Sequence, residues 1–266
     1  MLLLDCPFEN IKNFYNMKNI NKNVEFIFYN AKQAELDFSR GKKEVRGIGD
    51  YTRVLIPEIV NNTHRVIILD SGDLMANKDL SELYYFDIGD NYFVFSLEDI
   101  AGTFDRYTIF GISNFYPNSG VCLVNVRKFR EDNLYQKAIY ASFAYEELHC
   151  PYQDILLVIS HFKFKYWPLN YNCPQFFESD EQLKEGKTDT VWINNFMKLQ
   201  KNSPLKYTIN EIIDAAKDPV INHLYHTKPY QNSANRKFME RFREYAKMTG
   251  VIDEIKKKYP NPFKGF

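Results

Sequence analysis

The run Arg65-Val-Ile-Ile-Leu-Asp70 constrains this chain more than any other stretch. It is continuously apolar, rich in β-branched residues, too short for a buried helix, and ended by an acid. That pattern reads as a strand in a sheet covered on both faces. Tyr92–Leu97 and Gly120–Val126 repeat it. Segments with helical spacing lie between and after these runs: Tyr51–Val60, with Val54, Leu55, Ile59 and Val60 on one side; Lys78–Phe86, with Asp79 and Ser81 near its start; a long helix from Val126 through Leu148; and Gln153–His161. Strands separated by helices predict an α/β protein with a mainly parallel sheet.

The flanks read less regularly. Leu2–Asp5 and Val24–Tyr29 are strand candidates, Phe8–Met17 has helical spacing, and the polar, glycine-bearing Ala31–Gly49 reads as a loop. Val220–His226 is an extended piece, and Ser233–Met248 an amphipathic helix with Phe238, Phe242 and Tyr245 on one side. The tail from Lys256 to Phe266 is basic, then proline-bearing. No repeat and no Pro/Gly/Ser-rich linker divides the chain, so a single domain over residues 1–266 is expected, with 231–266 as a helical tail.

Lys+Arg and Asp+Glu are both 34 in 266 residues. A net charge of zero argues against a nucleic-acid partner recognised by phosphate neutralisation, and gives no reason to expect a membrane-surface protein. No apolar stretch approaches the roughly 18 residues of a membrane span. Cys6, Cys122, Cys150 and Cys173 form no C-x-x-C pair and read as free or buried thiols, with pairing of scattered cysteines left open. The amino terminus carries no basic region and too short an apolar run for a signal peptide. Its abrupt start in a strand raises the expectation of further sequence upstream. Localisation (cytoplasm or secretory pathway) and oligomeric state, a homodimer included, stay open.

Four short pieces carry candidate chemistry. Asp70-Ser-Gly-Asp73 puts two carboxylates just past a buried strand, where ligands of open α/β sheets bind. Carboxylates held close repel unless they share a proton or a divalent cation. The same residues also fit a strand-end Asp capping a turn, with a second Asp in solvent. His223-Leu-Tyr-His226-Thr-Lys228 offers an imidazole, which beside two carboxylates suits manganese better than calcium, and a lysine for phosphate. It equally fits a surface loop. Asn118-Ser119-Gly120 is a small polar turn entering a strand, able to offer an amide to a sugar hydroxyl or simply to turn. Gln153 and Asp154 open a helix, facing a strand-end crevice or only stabilising the helix dipole.

In order and spacing these pieces resemble glycosyltransferase family 8, the family of glycogenin and bacterial galactosyltransferases. The resemblance runs from about Tyr51 to Tyr230: Tyr51-Thr-Arg53-Val-Leu-Ile-Pro, Ile68-Leu-Asp70-Ser-Gly-Asp73, Lys78-Asp-Leu-Ser-Glu-Leu83, Asn118-Ser-Gly-Val121, Gln153-Asp-Ile-Leu156, Pro168-Leu-Asn-Tyr-Asn172, and His223 with Lys228-Pro229. It implies a GT-A fold, an α/β/α sandwich with a mostly parallel mixed sheet. It implies Mn2+ (or Mg2+) held by Asp70, Asp73 and His223 with the diphosphate of a UDP-sugar, and Lys228 on that diphosphate. Arg53, Asn118 and Ser119 would meet the donor, and Gln153 and Asp154 would serve the reaction. It further implies transfer of a hexose, with retained anomeric configuration, to a carbohydrate or protein-linked glycan acceptor.

Several positions depart from the family pattern. The usual Asp-x-Asp is one residue longer here, so a bulge at Ser71-Gly72 is needed to bring Asp73 into range. Tyr152 stands where an acid is common, Leu157 where Asn is common, and His226 where Gly is usual. The family's first strand and helix, which carry the base- and ribose-binding motif, have no counterpart, and Met1–Leu4 corresponds to its second strand. A catalytically inactive nucleotide- or glycan-binding relative is the alternative these departures favour. A phosphohydrolase with an aspartyl nucleophile ranks lower, because Asp70-Ser-Gly-Asp-Leu lacks that pattern.

Overall fold

The computed structural model describes residues 2–3, 11, 23–39, 48–98, 116–145, 148, 150–174, 181–200, 207–224, 236–250, 252–258 and 260. Its elements, in chain order, are β1 (Leu2–Leu3), β2 (Phe28–Tyr29), α1 (Lys32–Ser39), α2 (Ile48–Ile59), β3 (Arg65–Leu69), β4 (Leu74–Ala76) and α3 (Ser81–Tyr85). These are followed by β5 (Phe93–Leu97), β6 (Pro117–Asn125), α4 (Val126–Glu131), α5 (Leu134–Ala144), α6 (Pro151–Ser160) and β7 (Phe164–Tyr166). A 3-10 turn (Leu169–Asn172), β8 (Cys173–Pro174), α7 (Glu181–Lys184), α8 (Val191–Leu199), α9 (Ile209–Lys217), β9 (Ile221–His223), α10 (Arg236–Met248) and α11 (Ile252–Lys258) complete the described chain.

Two compact units result, one from Met1–Gln33 with Leu224–Phe266, the other Ala34–His223. In the first, β1 and β2 pair in parallel. Its helix α10 turns buried Phe238, Arg243 and Ala246 inward, while Tyr245 is exposed. The apolar side therefore runs along the i, i+4, i+8 row from Phe238 through Phe242 to Ala246, rather than through Tyr245 as the sequence pattern suggests.

The second unit is built on a four-stranded sheet ordered β3-β6-β5-β7. β6 runs antiparallel to both β3 and β5, and β7 runs parallel to β5. Three strands thus point one way and β6 the other, a mixed sheet in which two of the three pairings are antiparallel. Alternate residues feed opposite faces, as the two-residue strand repeat requires. Cys122, Val124, Phe93, Phe95 and Ile68 join a core beneath α2, α5 and α6, with Tyr51, Val54, Leu134, Ala138, Ile155 and Ile159. Val121, Leu123 and Val94 join a second core with Leu83, Trp167, Val220 and Ile221. Both faces are covered, so residues 66–69, 93–95 and 121–124 read as unbroken apolar stretches.

A three-stranded sheet ordered β4-β9-β8 lies in the same unit. β9 pairs antiparallel with β4 and parallel with β8. A third core, of Leu97, Leu169, Ile193, Phe196, Ile212 and Ala216, packs beside it. Helix α9 opens with a reciprocal capping box between Thr208 and Glu211, which satisfies two amides that a helix start would otherwise leave unpaired.

Several expectations are corrected. Residues 32–39 of the expected loop form α1, because Ala31, Ala34 and Phe38 recur at helical spacing and bury, and the Asn30 side chain accepts from the Lys32 amide. Only Phe28–Tyr29 of the expected 24–29 strand pairs. The long helix after β6 breaks into α4 and α5 at Asn133, whose φ of 52° is left-handed, a conformation Asn tolerates better than most residues. Helix α3 starts at Ser81, not Lys78, and residues 74–76 before it are strand. Asn118–Gly120 is no turn but part of the buried strand β6. Most of Phe8–Met17 and the end of the tail lie outside the described residues.

Candidate functional site

The Asp70–Asp73 step joins the two sheets of the second unit. Asp70 follows β3, and its amide donates to the Gly120 carbonyl of β6 at 2.8 Å. Asp73 directly precedes β4. Gly72 between them has φ +93°, which an L side chain adopts only with strain. This kink turns the longer Asp-x-x-Asp back on itself. β9 supplies the third residue: its antiparallel register sets His223 opposite Leu74, next to Asp73.

Asp70, Asp73 and His223 each offer one ligand atom, and these atoms lie within 4.8 Å of one another. His223 Nε2 is 3.6 Å from Asp70 Oδ2 and 3.6 Å from Asp73 Oδ2. His223 and Asp73 are buried. The other oxygen of Asp70, Oδ1, receives the Arg53 guanidinium from α2. Arg53 in turn lies 5.2 Å above the ring of Tyr152. Burial pushes the Tyr152 phenol well above its ordinary value, so this ring stays neutral. Burial likewise pushes the Cys122 thiol up, which makes it an unreactive part of the core.

Gly120 seats the imidazole. A Cβ there would lie 2.1 Å from His223 Cε1, so any side chain at 120 displaces the ring. His223 Nδ1 lies 2.9 Å from Asn172 Oδ1, at the end of the 3-10 turn. Asn172 Nδ2 donates to Asn118 Oδ1 at 2.8 Å, and that same oxygen accepts from the Gly120 amide at 3.1 Å. Asn118 Nδ2 donates to Glu98 Oε2 at 3.1 Å. Gln153 joins from the first turn of α6, its Nε2 donating to Glu98 Oε2 at 3.3 Å and its Oε1 accepting from the Ser119 amide at 3.1 Å.

Asp154, grouped with Gln153 on sequence grounds, is fully buried. The Tyr116 hydroxyl and, at 3.1 Å, the Cys150 amide donate to its carboxylate. This closes the amino-terminal end of α6 and so fixes where Gln153 points. Lys228 and His226 lie outside the described residues. Asp70, Asp73, His223, Arg53, Asn118, Ser119 and Gln153 are therefore brought together in one unit. Glu98 and Asn172 belong to the same cluster. A single acid at the end of a strand and an asparagine inside an aromatic turn gave no separate signal, although Asn172 closes one of the short pieces quoted above.

The donor set, two carboxylates and one imidazole, suits a divalent cation that accepts mixed oxygen and nitrogen ligands. Ligand atoms 2.0–2.6 Å from one cation lie within about 4–5 Å of each other. That spacing matches the cluster.

A sequence profile of glycosyl transferase family 8 matches residues 2–193. The chain belongs to this family. A Haemophilus influenzae (strain ATCC 51907 / DSM 11121 / KW20 / Rd) protein, provisionally named a glycosyltransferase, is 29% identical over 161 residues, which is 58% of this chain and 47% of that protein. The chain thus spans about half the length of the curated relative it matches. Among solved structures, the WbbM bifunctional glycosyltransferase in its apo form superposes with a TM-score of 0.68 at 18% identity, over 94% of this chain and 44% of that one. The galactosyltransferase LgtC, solved with donor and acceptor sugar analogs, gives 0.60 at 20% identity, over 86% and 75%. These likenesses show the GT-A type fold. Among the described residues no helix is long and apolar enough to cross a membrane.

Proposed function

We propose that this family-8 chain is a metal-dependent, retaining hexosyltransferase that moves a hexose from a UDP-sugar to a hydroxyl of a glycan or other acceptor. The observation that carries the reading is the convergence of Asp70, Asp73 and His223 beside the amides of Asn118 and Gln153. In this reading Asp70, Asp73 and His223 hold Mn2+ or Mg2+, which when bound supplies positive charge to the donor diphosphate.

Arg53, already held against Asp70, orients the donor on the same side of the cluster. Asn118, Ser119 and Gln153 line the sugar end. Transfer breaks the bond between the anomeric carbon and the phosphate oxygen and forms one from that carbon to the acceptor oxygen on the same face. The acceptor proton passes to the departing phosphate. Gln153 is a neutral amide and a poor nucleophile. Its Oε1 is aimed by the Ser119 amide and its Nε2 by Glu98, so the amide dipole is set before substrate arrives and stabilises charge as it develops at the sugar. Asp154 is assigned a positioning role through the start of α6, in place of direct catalysis. Lys228 is assigned to the diphosphate on sequence resemblance alone.

Calorimetric titration of UDP, with Mn2+ and then with EDTA, tests the reading. Binding that requires Mn2+ and disappears in Asp70→Ala is expected. Metal-independent or undetectable UDP binding by the folded chain overturns it and favours the inactive-relative alternative.

A further inference from the structure

Glu98, Asn118 and Asn172 form a chain of buried side chains ending on the metal-facing histidine. All three are at least nine-tenths buried. They come from the end of β5, the start of β6 and the 3-10 turn, three parts of the sequence with no reason to meet unless the fold brings them together.

Donor–acceptor chemistry gives this chain a direction. The Gly120 amide only donates, so the Asn118 atom facing it is the oxygen, and Asn118 Nδ2 faces the carboxylate of Glu98. With the Asn118 oxygen fixed, the Asn172 atom facing it is nitrogen, and the Asn172 oxygen faces His223 Nδ1 at 2.9 Å. An amide oxygen accepts and never donates. His223 Nδ1 therefore carries the proton, and Nε2 turns its lone pair toward Asp70 and Asp73. Glu98 Oε2 also accepts from Gln153 Nε2, so one carboxylate orients both the amide at the sugar end and, through two asparagines, the imidazole at the metal end.

We infer that Glu98 is a positioning residue, and that the Glu98–Asn118–Asn172 relay presets His223 as a metal ligand through Nε2 while aligning Gln153. The inference deepens the proposed function and rests on it for the identity of the bound group, but the tautomer it assigns stands by itself.

Two measurements test it. Long-range proton–nitrogen spectra of the five histidines, taken on the metal-free chain at a pH where the rings are neutral, should give His223, assigned with His223→Gln, as the Nδ1–H form. An Nε2–H form in the folded wild type overturns the relay. Second, Mn2+ binding by calorimetry should weaken ~10–100-fold in Asn172→Leu and Glu98→Leu, the cost of losing an outer-shell partner. Glu98→Gln, whose amide oxygen still accepts from Asn118 and Gln153, should recover most of it. Wild-type-like Mn2+ affinity in both folded leucine variants also overturns the relay. A wild type that shows the Nδ1–H form yet binds no Mn2+ sinks the metal reading and keeps the assigned tautomer. If a leucine variant does not fold, the wild-type spectrum alone still decides.

Discussion

Two asparagines on the same strand, both buried, serve different ends. Asn125, at the end of β6, accepts from the Lys128 amide at 3.1 Å and donates to the Asn91 carbonyl at 3.3 Å. Its named partners are backbone groups, one of them in the helix it caps, so its work is to start α4. Asn118, at the other end of β6, bonds the Glu98 and Asn172 side chains as well as the nearby Gly120 amide. A buried polar group satisfied by backbone supports the fold. One satisfied by side chains from other elements fixes the relative geometry of those elements and rigidifies the place where they meet.

The sharpest way to break this contrast is Gly120→Ala. The added Cβ falls 2.1 Å from His223 Cε1, so the imidazole leaves its seat while β6 keeps its backbone pairing. Overpacking at such a site costs roughly 1–3 kcal/mol, and Mn2+ affinity and transfer should fall by more than ~100-fold, beyond the loss of one outer-shell contact. A folded variant that binds Mn2+ as well as the wild type would refute the placement of His223.

Alanine at the two asparagines gives the next largest effects and separates them. Asn125→Ala should lower stability by about 1 kcal/mol, the value of a helix cap, seen as an earlier urea midpoint with unchanged Mn2+ binding. Asn118→Ala should lower stability by roughly 1–3 kcal/mol through the polar groups it strands and should also weaken Mn2+ binding. Equal behaviour of the two variants would erase the distinction.

The smallest effect lies far from the candidate site. The Tyr92 hydroxyl donates to Asp132 at 2.6 Å and holds that carboxyl below its ordinary value. A depressed acid adds stability above its unfolded pKa of about 3.9 and loses it as pH falls through the lower folded value. Tyr92→Phe should therefore lower stability above about pH 4, where the bond contributes in full, with the difference from wild type shrinking as pH falls below it, so that the acid limb flattens. An acid limb identical to the wild type would show that the pair contributes nothing.

Much of this was legible because the relevant physics is local. The runs at 66–69, 93–95 and 121–124 are apolar on successive residues because both faces of their sheet are covered, and that signature identifies each as a strand. Asp70 stands out because it follows such a run. Helix α1 leaves little mark on the sequence because its buried Ala34 and Phe38, with Ala31 just before it, are separated by polar residues and followed by glycine. The break between α4 and α5 depends on one left-handed Asn, and a helical pattern continues through it.

The sequence by itself determined the α/β class and the strand that ends at Asp70, since the apolar pattern along one segment carries those facts, while the set of side chains suited to a metal and a sugar donor came from the resemblance to family 8. Only the tertiary structure decided that Asp73 swings back at Gly72, that β9 sets His223 beside it, and that Glu98 and Asn172 belong with Asn118 and Gln153. The reason is separation along the chain. Asp73 and His223, like Glu98 and Gln153, meet through strand register and the packing of α6, which are properties of the assembled unit and leave no periodic mark on any one segment.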